Sequence, residues 1–204
     1  MKKTALLLLV ALVLGWAGCS SDSTVEVKNL RLEMKENPLG INVMQPRFSW
    51  QIASGKPDLK QTAYQIQVAA SPEQLESGDG LLWDSGVVRS DESVLVPYAG
   101  KALESGKPYY WRVKLTTNQG DTPWSDAGSW SMALLDDSEW KATWIGEDSL
   151  SNPGEEVGVA GGNNKTRLAA RYLRKEFTTD RAVERAVLYI SGLGSYEAYL
   201  NGKI

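Results

Sequence analysis

From Val25 onward, apolar and polar residues alternate in short runs. This is the two-residue period of half-buried β-strands. Leu30, Leu32 and Met34 alternate first, and Asn37-Pro38-Leu39-Gly40 then reads as a turn. Arg47 to Ile52 places Phe48, Trp50 and Ile52 on one face, until Gly55-Lys56-Pro57-Asp58 breaks the run. In Thr62 to Ala70, Tyr64, Ile66 and Val68 face one way, while Gln65 and Gln67 face the other. Asp84-Ser85-Gly86 predicts a turn after Trp83, with short strands at Val87-Val88 and Val94 to Val96. From Pro108, Tyr109, Trp111, Val113 and Leu115 line one face, and Tyr110, Arg112, Lys114 and Thr116 line the other. Asn118-Gln119-Gly120-Asp121 turns the chain, and Gly128 to Met132 pairs back.

About seven short strands with frequent turn signals in roughly 110 residues, and no helical period, predict an all-β immunoglobulin-like sandwich. No cysteine pair flanks a core tryptophan, so the disulfide-free fibronectin type III form fits better than the antibody form. Leu103 followed by Tyr109 matches the approach to the strand at which a tyrosine ties the corner of such sandwiches.

Asp136-Asp137-Ser138-Glu139 reads as a solvated hinge, without the spacing of a calcium loop. Trp140 to Gly146 leads into a second unit, and Glu147 to Thr166 has no period and reads as a loop. Asn164-Lys165-Thr166 is read as a chance glycosylation triplet. Strands are expected over 170–178, with Leu173 and Phe177 on one face, and again through Ala186, Leu188 and Ile190. Ser191-Gly192-Leu193-Gly194 suggests a bend at a sandwich corner and lacks the third glycine of a phosphate loop. Tyr196, Ala198 and Leu200 then alternate into Asn201-Gly202, the dipeptide favoured in two-residue hairpins. Only Lys203 and Ile204 follow, so the expectation is a fragment cut within its second β-domain, with an unpaired edge. The domain bounds expected are residues 1–18 as signal, 19–26 as tether, 27–135 as the first sandwich and 136–204 as the start of the second.

Composition narrows the chemistry. The chain has no histidine, which removes Ser-His-Asp and Cys-His nucleophiles, histidine-ligated metals and imidazole acid–base catalysis. One cysteine, Cys19, allows neither an internal disulfide nor a cysteine-rich metal site. No cofactor or metal is implied, and the few scattered basic residues give no nucleic-acid footprint. Eight tryptophans suit the core of a sandwich or a sugar-stacking surface, and core filling is the favoured reading.

Met1 to Cys19 is not fold. Lys2-Lys3, an apolar run from Ala5 to Leu14 and the small residues after it read as a secretory signal, too short for a typical spanning helix. Ala17-Gly18-Cys19 resembles a bacterial lipobox, with Trp16 in place of the usual leucine at the first position. Lipid on Cys19 would anchor the protein to a membrane without spanning it, on the periplasmic or outer-membrane surface side. Loss of Lys2 and Lys3 with the signal leaves 20 basic against 25 acidic residues, a net charge of −5.

Several ordered segments resemble the N-terminal part of bacterial α-L-rhamnosidases, a glycoside hydrolase family. They are Asn37 to Ile41, Pro46 to Trp50, Gln61 to Ala69, Trp83 to Gly86, Tyr109 to Val113 and Trp124-Ser125. Further along come Trp144 to Gly146, Ala170 to Phe177, and Leu188 to Gly194 running into Tyr199 to Lys203. The resemblance implies a fibronectin/immunoglobulin-like domain, then a jelly-roll-like β-domain of which this chain holds only the start, then an α/α-toroid that carries two catalytic carboxyl groups and inverts at the sugar. No segment here resembles the toroid, so no catalytic residue is carried over. The implied role is the accessory region of a secreted enzyme that acts on rhamnose-containing glycans. A second reading is a stand-alone carbohydrate-binding or adhesion lipoprotein, with Tyr98, Tyr110, Trp124 and Trp140 as possible sugar contacts. A third is a truncated product whose residues 140–204 do not fold.

Overall fold

The computed structural model describes residues 25–146 and 172–203. They divide into two compact units with the boundary after Ala142.

The first unit is a two-sheet antiparallel sandwich. One sheet holds β1 (Glu26–Leu32), β2 (Arg47–Ala53) and β5 (Val96–Pro97), in the order β1-β2-β5. The other holds β3 (Gln61–Ala69), β4 (Trp83–Asp84), β6 (Pro108–Thr117), β7 (Gly120–Asp121) and β8 (Gly128–Ser131). Its path is β4-β3-β6-β7, with β8 also on β6. The longest pairing runs from Gln61 opposite Thr117 to Ala69 opposite Tyr110. Alternation in the sequence sets which face of each strand is buried. Tyr109, Trp111, Val113, Leu115 and Thr117 of β6 are buried, and the residues between them are half-buried.

β7 and β8 are two halves of one return strand beside β6, interrupted over residues 122–127. Pro123 lacks an N–H and cannot serve in a regular ladder. Two hydroxyls fill the gap. Leu115 N donates to Thr122 Oγ1 at 3.0 Å, and Val113 N donates to Ser125 Oγ at 3.1 Å. Residues 38–41 add a further edge contact. Ser131 N donates to Pro38 O, Ile41 N donates to Ser131 O, and Ala133 N donates to Ile41 O.

The core is largely aromatic. Phe48 sits at its centre, with ring centroids 4.6 Å from Trp111, 5.8 Å from Trp130 and 6.0 Å from Trp83. Each such pair adds about 0.5–1.5 kcal/mol beyond the area it buries. Trp50, Trp111 and Trp130 are fully enclosed, as expected for core filling. Trp50 Nε1 donates to Gln61 Oε1 at 3.0 Å, and the Gln61 amide donates to Ser90 O and Glu92 O. This satisfies the buried indole and ties β3 to the connection before β5. Tyr109 closes the expected corner: its Oη accepts from Glu104 N at 2.7 Å.

Four details differ from the sequence reading. A short helix, α1 (Pro72–Ser77), interrupts the all-β pattern. Ser71 caps its start by accepting from Gln74 N, Pro72 fits its first turn, and Gly78 at φ +79° ends it. Met34 does not continue β1. Glu33 and Met34 both take positive φ, forming a two-residue turn closed by Leu32 and Lys35, and Met34 is exposed. The strand expected at Val94 to Val96 is displaced by the positive φ of Leu95, and β5 begins at Val96. Val87-Val88 gives only a single bridge, Val88 to Tyr64.

In the second unit, the strands expected over 170–178 and at 186–190 are not formed among the described residues. A strand is stable only when partners take up its backbone groups and its apolar face. Here Leu173, Phe177, Leu188 and Leu193 are all exposed. The expected turn is present. Asn201 and Gly202 take φ of +51° and +77°, and Leu200 and Lys203 exchange both backbone hydrogen bonds, at 2.8 and 3.1 Å. These are the features of a type I′ turn.

Candidate functional site: a polar and aromatic row on the outer sheet face

The outer face of the five-stranded sheet carries the best organised polar group of the first unit. Register brings it together. Gln67 of β3 lies opposite Asp84 of β4 on one side and Arg112 of β6 on the other. Gln65 and Gln67 each donate an amide N–H to Asp84, to Oδ1 and Oδ2, both at 2.8 Å. Gly86 N donates to Oδ1 at 2.8 Å. The Gln67 carbonyl accepts from Arg112 Nε and Nη2, at 3.0 and 2.8 Å. The Arg112 guanidinium carbon in turn lies 4.5 Å from the centre of the Trp124 ring, in cation–π geometry.

The electrostatics follow from these contacts. Partial burial alone would raise the Asp84 pKa. The amide hydrogen bonds of Gln67 and Gln65, the Gly86 N–H and the nearby Arg112 charge outweigh it and hold the carboxyl below its ordinary value. A carboxylate whose two oxygens already accept three N–H groups is held ionised and cannot donate a proton at neutral pH. The row therefore braces three strands and has no general acid.

The four aromatics proposed from sequence are scattered. Tyr98 is a correction: it is 2% exposed and lies in the core between Phe48 and Trp83. Its Oη donates to Lys101 O at 2.7 Å, and burial pushes its pKa up to about 12. Gly100 permits this, because a Cβ there would fall 2.5 Å from the Tyr98 hydroxyl. A ring so enclosed offers no face to a sugar. Tyr110 is half-buried on the outer face, opposite Ala69 and Ser129. Trp124 is half-buried, with Arg112 over its ring. Trp140 is exposed on the segment that leaves the sandwich. Cys19 lies outside the described residues. The Asp84–Gln67–Arg112 row itself was not predicted. Its polar residues were visible on the outer faces of β3 and β6, but only register places them side by side.

Among the described residues no three His, Cys, Asp or Glu side chains converge to hold a metal ion. One depression is lined by Asn29, Leu30, Glu36, Asn37, Ala127 and Gly128, with a single carboxyl. Another is formed by residues 179–185 alone, so no second wall faces it. The second carries two carboxyl groups, Asp180 and Glu184, on one short stretch of chain.

The model of the "Rha78A-like, N-terminal immunoglobulin domain" matches residues 27–136. The chain belongs to this family. Its sandwich and tyrosine corner are thus those of an immunoglobulin-like domain, and the match ends within the Asp136 to Glu139 segment. Similarity to whole enzymes extends further. An α-L-rhamnosidase of Formosa agariphila is 38% identical over 189 residues, which cover 91% of this chain and 20% of that protein. One from Alteromonas sp. (strain LOR) is 37% identical over 195 residues, with the same two shares. Among solved structures, Streptomyces avermitilis α-L-rhamnosidase complexed with L-rhamnose matches with a TM-score of 0.58 and 39% identity. That match covers 62% of this chain and 12% of the other. The enzyme from Dictyoglumus thermophilum matches at 0.57 and 36%, covering 60% and 14%. The chain spans about a fifth of the length of the curated relatives it matches.

Proposed function

We propose that this chain is the non-catalytic N-terminal region of an α-L-rhamnosidase, an enzyme that releases terminal α-L-rhamnose from glycans or glycosides. One observation carries the reading. Similarity to the rhamnosidases runs through 91% of the chain, and so beyond the 27–136 immunoglobulin domain into the second unit. An isolated adhesion module would need only the first part. The immunoglobulin domain then acts as a rigid accessory body, and residues 143–204 begin the next β-domain. Exposed Leu173, Phe177, Leu188 and Leu193 are the apolar surface that such a domain would bury.

We further propose that the protein is exported and lipid-anchored at Cys19, on the strength of Lys2-Lys3, the Ala5 to Leu14 apolar run and Ala17-Gly18-Cys19. The tether then holds the enzyme at a bacterial membrane surface.

The test is hydrolysis of an aryl α-L-rhamnoside. Residues 1–204 alone should give no turnover, and the product of the complete reading frame should be active. Turnover by residues 1–204 would overturn the non-catalytic assignment.

A further inference from the structure

We propose that Glu139 is a positioning residue that clamps the chain as it leaves the immunoglobulin-like domain, making residues 135–141 a rigid strut. Composition alone reads Asp136-Asp137-Ser138-Glu139 as a hinge, because four small or charged residues with no apolar member should be solvated. The geometry says otherwise. Residues 137–139 form one 3₁₀ turn with a reciprocal capping box. Asp136 Oδ1 accepts from Ser138 N at 2.7 Å, and Glu139 Oε2 reaches back to accept from Asp136 N at 3.2 Å.

The Glu139 carboxylate does more than cap. The same Oε2 accepts from Ser105 Oγ at 2.5 Å and from Leu135 N at 3.1 Å. Ser105 lies 34 positions away, in the corner loop that the Tyr109 hydroxyl fastens through Glu104 N. One oxygen therefore joins the exit segment to the tyrosine corner. Neighbouring contacts support it. Gly106 N donates to Ala133 O, Leu135 N also donates to Ser105 Oγ, and Leu135 packs against the core. Beyond the turn, Trp140 N donates to Asp137 O, and Lys141 Nζ donates to Ser138 O at 2.6 Å. The Glu139 carboxylate and the Ser105 hydroxyl thus bridge the segment to the corner loop, and the Trp140 and Lys141 bonds brace the turn from within.

Lys141 supplies the readout, because trypsin cleaves after it only when the segment can open. Arg89, exposed in the connection before β5, is an internal reference. In the 204-residue chain, Glu139→Ala should speed tryptic cleavage after Lys141 by tenfold or more relative to cleavage after Arg89. The urea midpoint of the sandwich should stay unchanged. Ser105→Ala should act in the same direction, and Glu139→Gln, which keeps one acceptor oxygen, should fall between. A ¹⁵N heteronuclear NOE at Ser138 should equal those of β3 and β6 in the unaltered chain. An unchanged cleavage ratio in Glu139→Ala, an equal rise at both sites with a lowered midpoint, or a low NOE at Ser138 in the unaltered chain would each overturn the clamp.

Discussion

Phe48 and Trp111, from opposite sheets and 63 positions apart in sequence, meet with ring centroids 4.6 Å apart at the centre of the sandwich. Phe48 also touches Trp83, Tyr98 and Trp130, so one side chain joins both sheets. Phe48→Ala should lower the unfolding free energy of the domain by about 3–5 kcal/mol, because the surrounding rings cannot collapse into the space. Urea unfolding followed by tryptophan fluorescence measures this. A loss below about 1 kcal/mol would show that the core is loosely packed.

The tyrosine corner rests on a single hydroxyl. Tyr109→Phe keeps the ring against Trp130 and removes the acceptor for Glu104 N. The expected loss is about 1–3 kcal/mol in the same urea experiment, the cost of leaving a donor unsatisfied. Faster amide exchange at Glu104 should accompany it.

Gln61→Leu should cost a similar amount, about 1–3 kcal/mol, because it leaves the buried Trp50 indole N–H without an acceptor. Near-ultraviolet circular dichroism should report the change at Trp50. A neutral result would mean that the indole finds another partner.

Gly128 is required for space. A Cβ at this position would lie 2.5 Å from Trp111 Nε1, so Gly128→Ala must displace an enclosed indole. The expected loss is about 1–3 kcal/mol, read from urea midpoints.

Acid should loosen the outer face of the five-stranded sheet. The native pKa of Asp84 lies below its ordinary value: burial raises it, and the Gln67, Gln65 and Gly86 hydrogen bonds with the Arg112 charge more than offset that. Arg112 also faces Glu76 of α1. A depressed native pKa means that the unfolded chain takes up its proton first as pH falls. The stabilisation is complete above the ordinary aspartate value of about 3.9 and is lost as pH drops through the lower native value. Asp84→Asn should flatten that part of the stability–pH curve below about pH 4. An identical acid slope in both proteins would show that Asp84 contributes nothing to it.

The legible parts of the fold were those written in strict alternation. β3 and β6 carry their buried faces in sequence, and their pairing follows from that. Asn201-Gly202 announced its turn because only residues tolerant of positive φ fit there. Glu33 and Met34 make a similar two-residue turn without any such signature, so β1 ends earlier than its apolar pattern suggests. Helix α1 leaves no periodic signal, although Ser71-Pro72 and Gly78 mark both its ends, because six residues are too few to show a helical period. Tyr98, offered as a possible sugar contact, lies outside any alternating run that would mark it as buried. Only the close approach at Gly100, invisible in one dimension, places it in the core. The outer row of Asp84, Gln67 and Arg112 depends on the register of three strands, which alternation does not specify.

The most direct test of the central claim is to read the genomic sequence beyond the codon for Ile204. The account predicts a frame that continues through the return strand of the Asn201-Gly202 hairpin. It should then lead through further β-modules into a long helical, carboxylate-rich domain, with a total length near five times that of this chain, as in the relatives. A stop codon directly after Ile204, or a frame leading into an unrelated domain, would contradict the assignment to an α-L-rhamnosidase.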